Sequence, residues 1–370
     1  MFYYTLIIMI GLVLFFIYTT KANIITLNLK DYYFSIPQVD FQFIEENVWI
    51  ISFLNTYLPV TILSQFSRVK EKNMIENNTI VKLDFNYTSV LYKTDVIIGE
   101  QVINDYNLYL TYSTVWFREY GIALGYHIKD ESFSIVHTLY KRKLIENLVF
   151  VFMNNAQTKN GKLYIGGIPN NIHLTLPYKA IIPINESLPT WGFTLNSIVY
   201  DNKKHMINLP CIISSVMTQS FISDELFMIL SENIFNKEKE CVKKYTNDGG
   251  TQDVFRCKSN LPFMNQSIDF MFDKVKIKIK IERLFDKRNI STFSTNDAKK
   301  KLHNFDGVIL SSAFIDLFNF TVFDYENKRI ELYSDNIPIQ VSNEAFRTIS
   351  IIHCIICIFN IFYLIIMNKS

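Results

Sequence analysis

The sequence predicts an all-β protein of two similar lobes, on three observations. Short runs of alternating apolar and polar residues recur along the chain, helical patterns are few and short, and one order of strand and turn occurs twice. Alternation is clearest at Val275-Lys276-Ile277-Lys278-Ile279-Lys280-Ile281. Val81-Lys82-Leu83-Asp84-Phe85, Thr94-Asp95-Val96-Ile97-Ile98-Gly99 and Lys162-Leu163-Tyr164-Ile165-Gly166-Gly167 read the same way. Helices are expected only around residues 133–147, 223–236 and 312–317.

The repeated order defines the two halves. An apolar strand runs into a polar turn at Ile50-Ile51-Ser52-Phe53-Leu54-Asn55-Thr56 and again at Ile212-Ile213-Ser214-Ser215-Val216-Met217-Thr218. An apolar-apolar-turn segment follows each, at Ala123-Leu124-Gly125 and at Ile309-Leu310-Ser311. The expected lobes are residues 31–177 and 178–340, joined near residues 177–183.

Composition bounds the function. Apolar residues make up 49% and charged residues 19% of 370, with 31 Phe and 21 Tyr, which excludes a disordered or collagen-like chain. A net charge of +2 without a basic face excludes nucleic acid as a partner. Glycine is scarce, at 11 residues or about 3% against a typical ~7%. Motifs that need glycine turns are therefore expected to be eroded, and Gly-rich phosphate loops are absent.

Both ends are apolar. Residues 2–18 carry no charge and sit at the lower length limit for a spanning helix, so residues 1–22 read either as a signal peptide cleaved near Thr20-Lys21-Ala22 or as an uncleaved signal anchor. Residues 349–367 are long enough to span a bilayer as a transmembrane helix. The other reading is a lipid-anchor signal, with small residues near Ser334-Asp335-Asn336, a spacer and the apolar tail. Both place the middle of the chain in a lumen or outside the cell, as a single-pass protein of the secretory pathway or cell surface.

The cysteines fit that compartment. Cys241 and Cys257 close a polar segment, and a disulfide between them is expected, stabilising by about 3 kcal/mol on the loop-entropy model. Cys211 lies in an apolar strand and is expected as a buried thiol. Cys354 and Cys357 form a C-x-x-C in the apolar tail, without a nearby base, and read as lipid-facing or acylated.

Three segments carry a family resemblance. Gly161-Lys162-Leu163-Tyr164-Ile165-Gly166-Gly167-Ile168 resembles the G-x-L-x-x-G-G strand-turn of pepsin-like aspartic proteases. Trp191-Gly192-Phe193-Thr194-Leu195-Asn196-Ser197-Ile198 is similar to the W-x-x-x-L-x-x-I segment that precedes the family's second catalytic turn. Val322-Phe323-Asp324-Tyr325-Glu326-Asn327-Lys328-Arg329-Ile330 is similar to its closing strands. The resemblance covers residues 31–335 and extends to membrane-anchored plasmepsin- and yapsin-like relatives. It implies a bilobal fold with an interlobe cleft for a peptide or protein ligand, and no metal or cofactor.

Family chemistry needs two aspartates, one per lobe, sharing a proton, because like charges that close cannot both ionise. The dyad activates a water against a peptide carbonyl. Each aspartate belongs in an apolar-apolar-Asp-Thr/Ser-Gly turn. Aligned on the resemblance, Ser52 and Ser214 stand at the two aspartate positions, and Leu54 and Val216 replace the glycines. No Asp-Thr-Gly or Asp-Ser-Gly occurs in the chain. The resemblance offers Phe85 and Tyr87 as candidates for the tyrosine of the flap. Tyr120-Gly121 stands for the usual Asp-Gly, and Ile309-Leu310-Ser311-Ser312 for the late I-L-G-D.

Other chemistry is less well supported. A nucleophilic Ser52 or Ser214 needs a positioned base, and no histidine can be placed beside either. Asp248-Gly249-Gly250-Thr251 follows a charged segment and reads as a surface loop, Lys299-Lys300-Lys301 as a solvated charge run, and Asp324 as a structural residue. Asn-x-Ser/Thr occurs at Asn77, Asn86, Asn185, Asn265, Asn289, Asn319 and Asn368. The expectation is a membrane-anchored, catalytically inactive pepsin-like homologue with a ligand-binding cleft. Its alternatives are an active, divergent aspartic endopeptidase and a surface structural or adhesion protein.

Overall fold

The computed structural model describes residues 24–341 apart from 33–35, 44–45, 54–59, 63–79, 83–87, 100, 113–119, 127–133, 155–160, 170–175, 189, 215–218, 236–239, 247–251, 259–260, 286–289, 296–304 and 306. The expected apolar ends, 1–22 and 349–367, lie outside the described residues. So do the flap candidates Phe85 and Tyr87 and the loop Asp248-Gly249-Gly250-Thr251. No helix among the described residues is long and apolar enough to cross a membrane.

The first half runs β1 (Ile25–Tyr32), β2 (Ile36–Phe43), β3 (Glu46–Phe53), β4 (Val60–Ile62), β5 (Ile80–Lys82), β6 (Thr88–Ile98), β7 (Gln101–Tyr112) and β8 (Tyr120–Ala123). Helix α1 (Ile135–Lys141), β9 (Val149–Asn154) and β10 (Gly161–Ile165) complete it. The second half begins with β11 (Tyr178–Pro183), β12 (Gly192–Tyr200), β13 (Lys203–Ile213), β14 (Ser220–Ile222) and α2 (Asp224–Asn233). Then come β15 (Cys241–Thr246), β16 (Gln252–Cys257), β17 (Ser267–Phe272), β18 (Val275–Lys280) and β19 (Phe293–Thr295). It ends with β20 (Val308–Leu310), α3 (Ser312–Ile315), β21 (Phe320–Asp324), β22 (Arg329–Ser334) and β23 (Ile339–Val341). The three α-helices among the described residues fall where the sequence places them but are shorter. Serine side chains fix their starts: Ser134, Ser223 and Ser311 accept from the amides of His137, Leu226 and Ala313.

Turn chemistry sets the hairpins. Between β12 and β13, Asp201 and Asn202 both take positive φ (48° and 59°), as a tight two-residue hairpin turn requires. Asp273 does the same (φ 50°) between β17 and β18. In β18 the predicted alternation holds, with Val275, Ile277 and Ile279 buried and Lys278 and Lys280 exposed.

A 13-stranded sheet runs β11-β22-β21-β9-β10-β1-β2-β3-β8-β4-β7-β6-β5, with β2 also pairing β6. An eight-stranded sheet runs β19-β14-β20-β13-β12-β17-β18-β23, and β15-β16 stand as a separate hairpin. The late strands β21 and β22 therefore join the first half, through β21 against β9. An aromatic group packs where they meet: Phe150 stacks on Phe323 (4.7 Å), and Trp191 lies against Phe323 (5.1 Å) and Tyr325 (4.8 Å). A second group joins Phe255 of β16 to Phe227, Phe235 and Phe293. In the β15–β16 hairpin Cys241 and Cys257 face each other across the ladder and are disulfide-bonded, as the sequence predicts. Cys211 is a buried free thiol.

Candidate functional site

The two polar turns end equivalent ladders. Strand β8 pairs parallel with β3, placing Ile51 opposite Gly121, and meets β4 antiparallel through Thr61 and Tyr120. Strand β20 repeats this with β13 and β14, placing Ile213 opposite Leu310 and Phe221 opposite Ile309. In each set the residue that meets the returning strand immediately precedes the residue opposite an isoleucine. The next position on the first strand is Ser52 in one set and Ser214 in the other. Parallel pairs β4–β7 and β14–β19 flank the two sets in the same way.

The register corrects one expectation. The counterpart of Ile309-Leu310-Ser311 is Tyr120-Gly121-Ile122, not Ala123-Leu124-Gly125 three residues later. The apolar-apolar-Gly pattern lies three residues downstream, whereas pairing with β4 fixes the alignment at Tyr120. Position 123 still ends β8, and Leu124 takes a different role, described below.

Ser214 is fully buried, and its amide donates to the carbonyl of Leu310 at 2.8 Å. Its hydroxyl has no hydrogen-bond partner among the described residues. Nearby, Ser220 and Ser311 hydroxyls lie 3.2 Å apart, and the Ser311 amide donates to Ser220 Oγ at 3.0 Å. Two glycines let the strands close around β13. A Cβ on Gly307 would lie 2.2 Å from the Pro210 carbonyl, and one on Gly192 would lie 2.8 Å from the Cys211 carbonyl. Burial pushes the Cys211 thiol up, so it stays neutral. For Ser52 the structure gives the register position, opposite Ile122.

Trp191 connects the two turns, a link that the sequence motif located but did not explain. Its indole Nε1 donates to the Leu124 carbonyl just beyond β8, and its own carbonyl accepts from the amide of Ile213, the residue before Ser214. The flap candidates fall between β5 and β6, whose paired ends are Lys82 and Thr88. The disulfide belongs to the β15–β16 hairpin, outside both ladders.

Serine hydroxyls at these positions are weak acids that hold no charge. Nucleophilic use would need a base. Among the described histidines, His137 bonds Ser134 (2.8 Å) on α1, and His205 sits nine positions before Ser214, about 30 Å along an extended strand. Asp324 acts in a turn: its carboxylate accepts from the amide of Asn327 (2.9 Å) and from the Asn327 side chain (2.7 Å).

The comparisons agree with this geometry. The sequence model for eukaryotic aspartyl protease matches residues 96–334, which is 239 of 370 residues. The chain belongs to the eukaryotic aspartyl protease family. The aspartic proteinase from Irpex lacteus superposes with a TM-score of 0.66 at 14% identity, covering 85% of this chain and 98% of its own. The fold is therefore pepsin-like and bilobal. No curated protein is significantly similar in sequence.

Proposed function

We propose that this family member is catalytically inactive and serves as a membrane-anchored protein that binds peptide or protein segments between its lobes. One observation carries the reading: Ser52 and Ser214 hold the same register position in the two equivalent ladders, and the chain contains no Asp-Thr-Gly or Asp-Ser-Gly. A serine pair is neutral at every accessible pH. It cannot share one proton, and it cannot serve as a carboxylate base toward water. Loss of a general base alone costs about 10²–10⁴-fold in rate, and here both positions differ.

The anchor is the apolar run 349–367, which begins eight residues after Val341. The Cys241–Cys257 bond supports an oxidising, secretory route for the lobes. With the scaffold retained and the acid chemistry lost, the cleft is left with a binding role.

The test uses the full chain solubilised in detergent. Denatured protein substrate is incubated from about pH 3 to 7 and analysed for new termini, with no cleavage expected. Labelled peptides are expected to bind, read by fluorescence anisotropy. Pepstatin-sensitive cleavage that disappears on mutating a single aspartate would overturn inactivity and reveal the missing carboxylate.

A further inference from the structure

Three of the Asn-x-Ser/Thr triplets lie wholly among the described residues, at Asn185, Asn265 and Asn319. Their geometry separates them. Asn185 opens the turn between β11 and β12, with its amide donating to the Gly192 carbonyl (2.8 Å) and its carbonyl accepting from the Leu188 amide (3.0 Å). Its side-chain oxygen accepts twice from the third residue of the triplet, from the Ser187 amide (3.1 Å) and the Ser187 hydroxyl (2.7 Å). Glu186 and Ser187 are exposed, and Asn185 Nδ2 has no partner among the described residues. The turn closes within residues 185–192, so it can form before distant strands pair.

The other two lack this arrangement. Thr321 is 1% exposed inside β21, between β9 and β22, and the Asn319 side-chain oxygen accepts instead from the Asp335 amide (3.0 Å). Asn265 is exposed, but Ser267 already belongs to β17 and makes no bond to it.

We propose that Asn185 carries an N-linked glycan, which rests on the reading that the lobes face a lumen. The hydroxyl donated to Oδ1 draws electron density from the amide and makes Nδ2–H more acidic. Nδ2 then attacks the anomeric carbon of a polyprenyl-pyrophosphate-linked oligosaccharide. The N–C bond forms, the C–O bond to pyrophosphate breaks, the lipid pyrophosphate departs, and the amide proton passes to a base of the transferase. The sugar leaves the turn on its solvent side, beside the exposed Glu186 and Ser187.

The full chain, expressed in eukaryotic cells, tests this in two readouts: glycopeptide mass spectrometry, and protease protection of the lobes in sealed microsomes. The Asn185 peptide is expected to gain at least one N-acetylhexosamine, which Ser187→Ala abolishes and Ser187→Thr retains. Protected lobes with a formed Cys241–Cys257 bond but bare Asn185 would overturn the glycan alone. Lobes digested from the outside would overturn the lumenal reading and the glycan with it. Modification that persists in Ser187→Ala would overturn the mechanism.

Discussion

Trp191 hydrogen-bonds one strand end in each ladder: its indole reaches the Leu124 carbonyl at 2.5 Å, and its backbone carbonyl holds the Ile213 amide at 3.0 Å. Leu124 directly follows β8, the strand paired with Ser52, and Ile213 directly precedes Ser214. One fully buried residue thus bonds both halves, through its side chain on one side and its backbone on the other.

Trp191→Phe should keep most of the packing against Phe150, Phe323 and Tyr325 but leave the buried Leu124 carbonyl unpaired, at a cost of about 1–3 kcal/mol. Trp191→Ala adds a cavity, and the loss should reach about 3–5 kcal/mol. Denaturant unfolding of the two variants against the parent measures both; an unchanged stability in Trp191→Phe would mean that the hydrogen bond contributes nothing.

Glu331 predicts a pH dependence. Burial opposes its ionisation, but the Tyr333 hydroxyl (2.5 Å), the Lys179 ammonium (3.0 Å) and Arg329 (2.7 Å) outweigh it and hold the carboxyl below its ordinary value. A lowered folded pKa gives stability that is present above the ordinary 4.5 and lost as pH falls through the folded value. Glu331→Gln should cost about 1–3 kcal/mol at neutral pH, and its deficit should shrink in acid. Melting temperatures from neutral to acid pH test this, and parallel curves would count against it.

The β15–β16 disulfide spans 16 positions of sequence. Replacing both cysteines by alanine should cost about 3 kcal/mol on the loop-entropy model. Because the hairpin stands outside both large sheets, peptide binding measured below the new melting point should be unchanged.

Period-two alternation locates β18, because that signal is local. The Gly-Gly, Trp and Val-Phe-Asp segments give the fold, since their spacing reports a shared arrangement. Register is not local. Tyr120-Gly121 does not look like an apolar pair, and its bridge to Thr61 on β4 is what aligns it with Ile309-Leu310. The Trp191–Leu124 bond, spanning 67 positions, and the Ser220–Ser311 pair, spanning 91, leave no pattern in a single chain.

Ser52→Asp with Ser214→Asp supplies two carboxylates, yet the double variant should remain unable to cleave protein. Position 214 is fully buried, and its amide is already committed to Leu310. A carboxylate there needs donors that stabilise its charge, whereas the adjoining hydroxyls of Ser220 and Ser311 are already bonded to each other. Leu54 and Val216 also stand where the family's turns carry glycine, and the two aspartates alone do not restore those glycines. Buried and poorly solvated, the new acid at 214 should titrate well above the ordinary carboxylate range and lower stability as pH rises through neutrality. Full-chain protein carrying both substitutions, assayed with denatured substrate from about pH 3 to 7, should give no pepstatin-sensitive product. Cleavage by the double variant that the parent chain does not show would mean that the two serines alone account for the proposed inactivity.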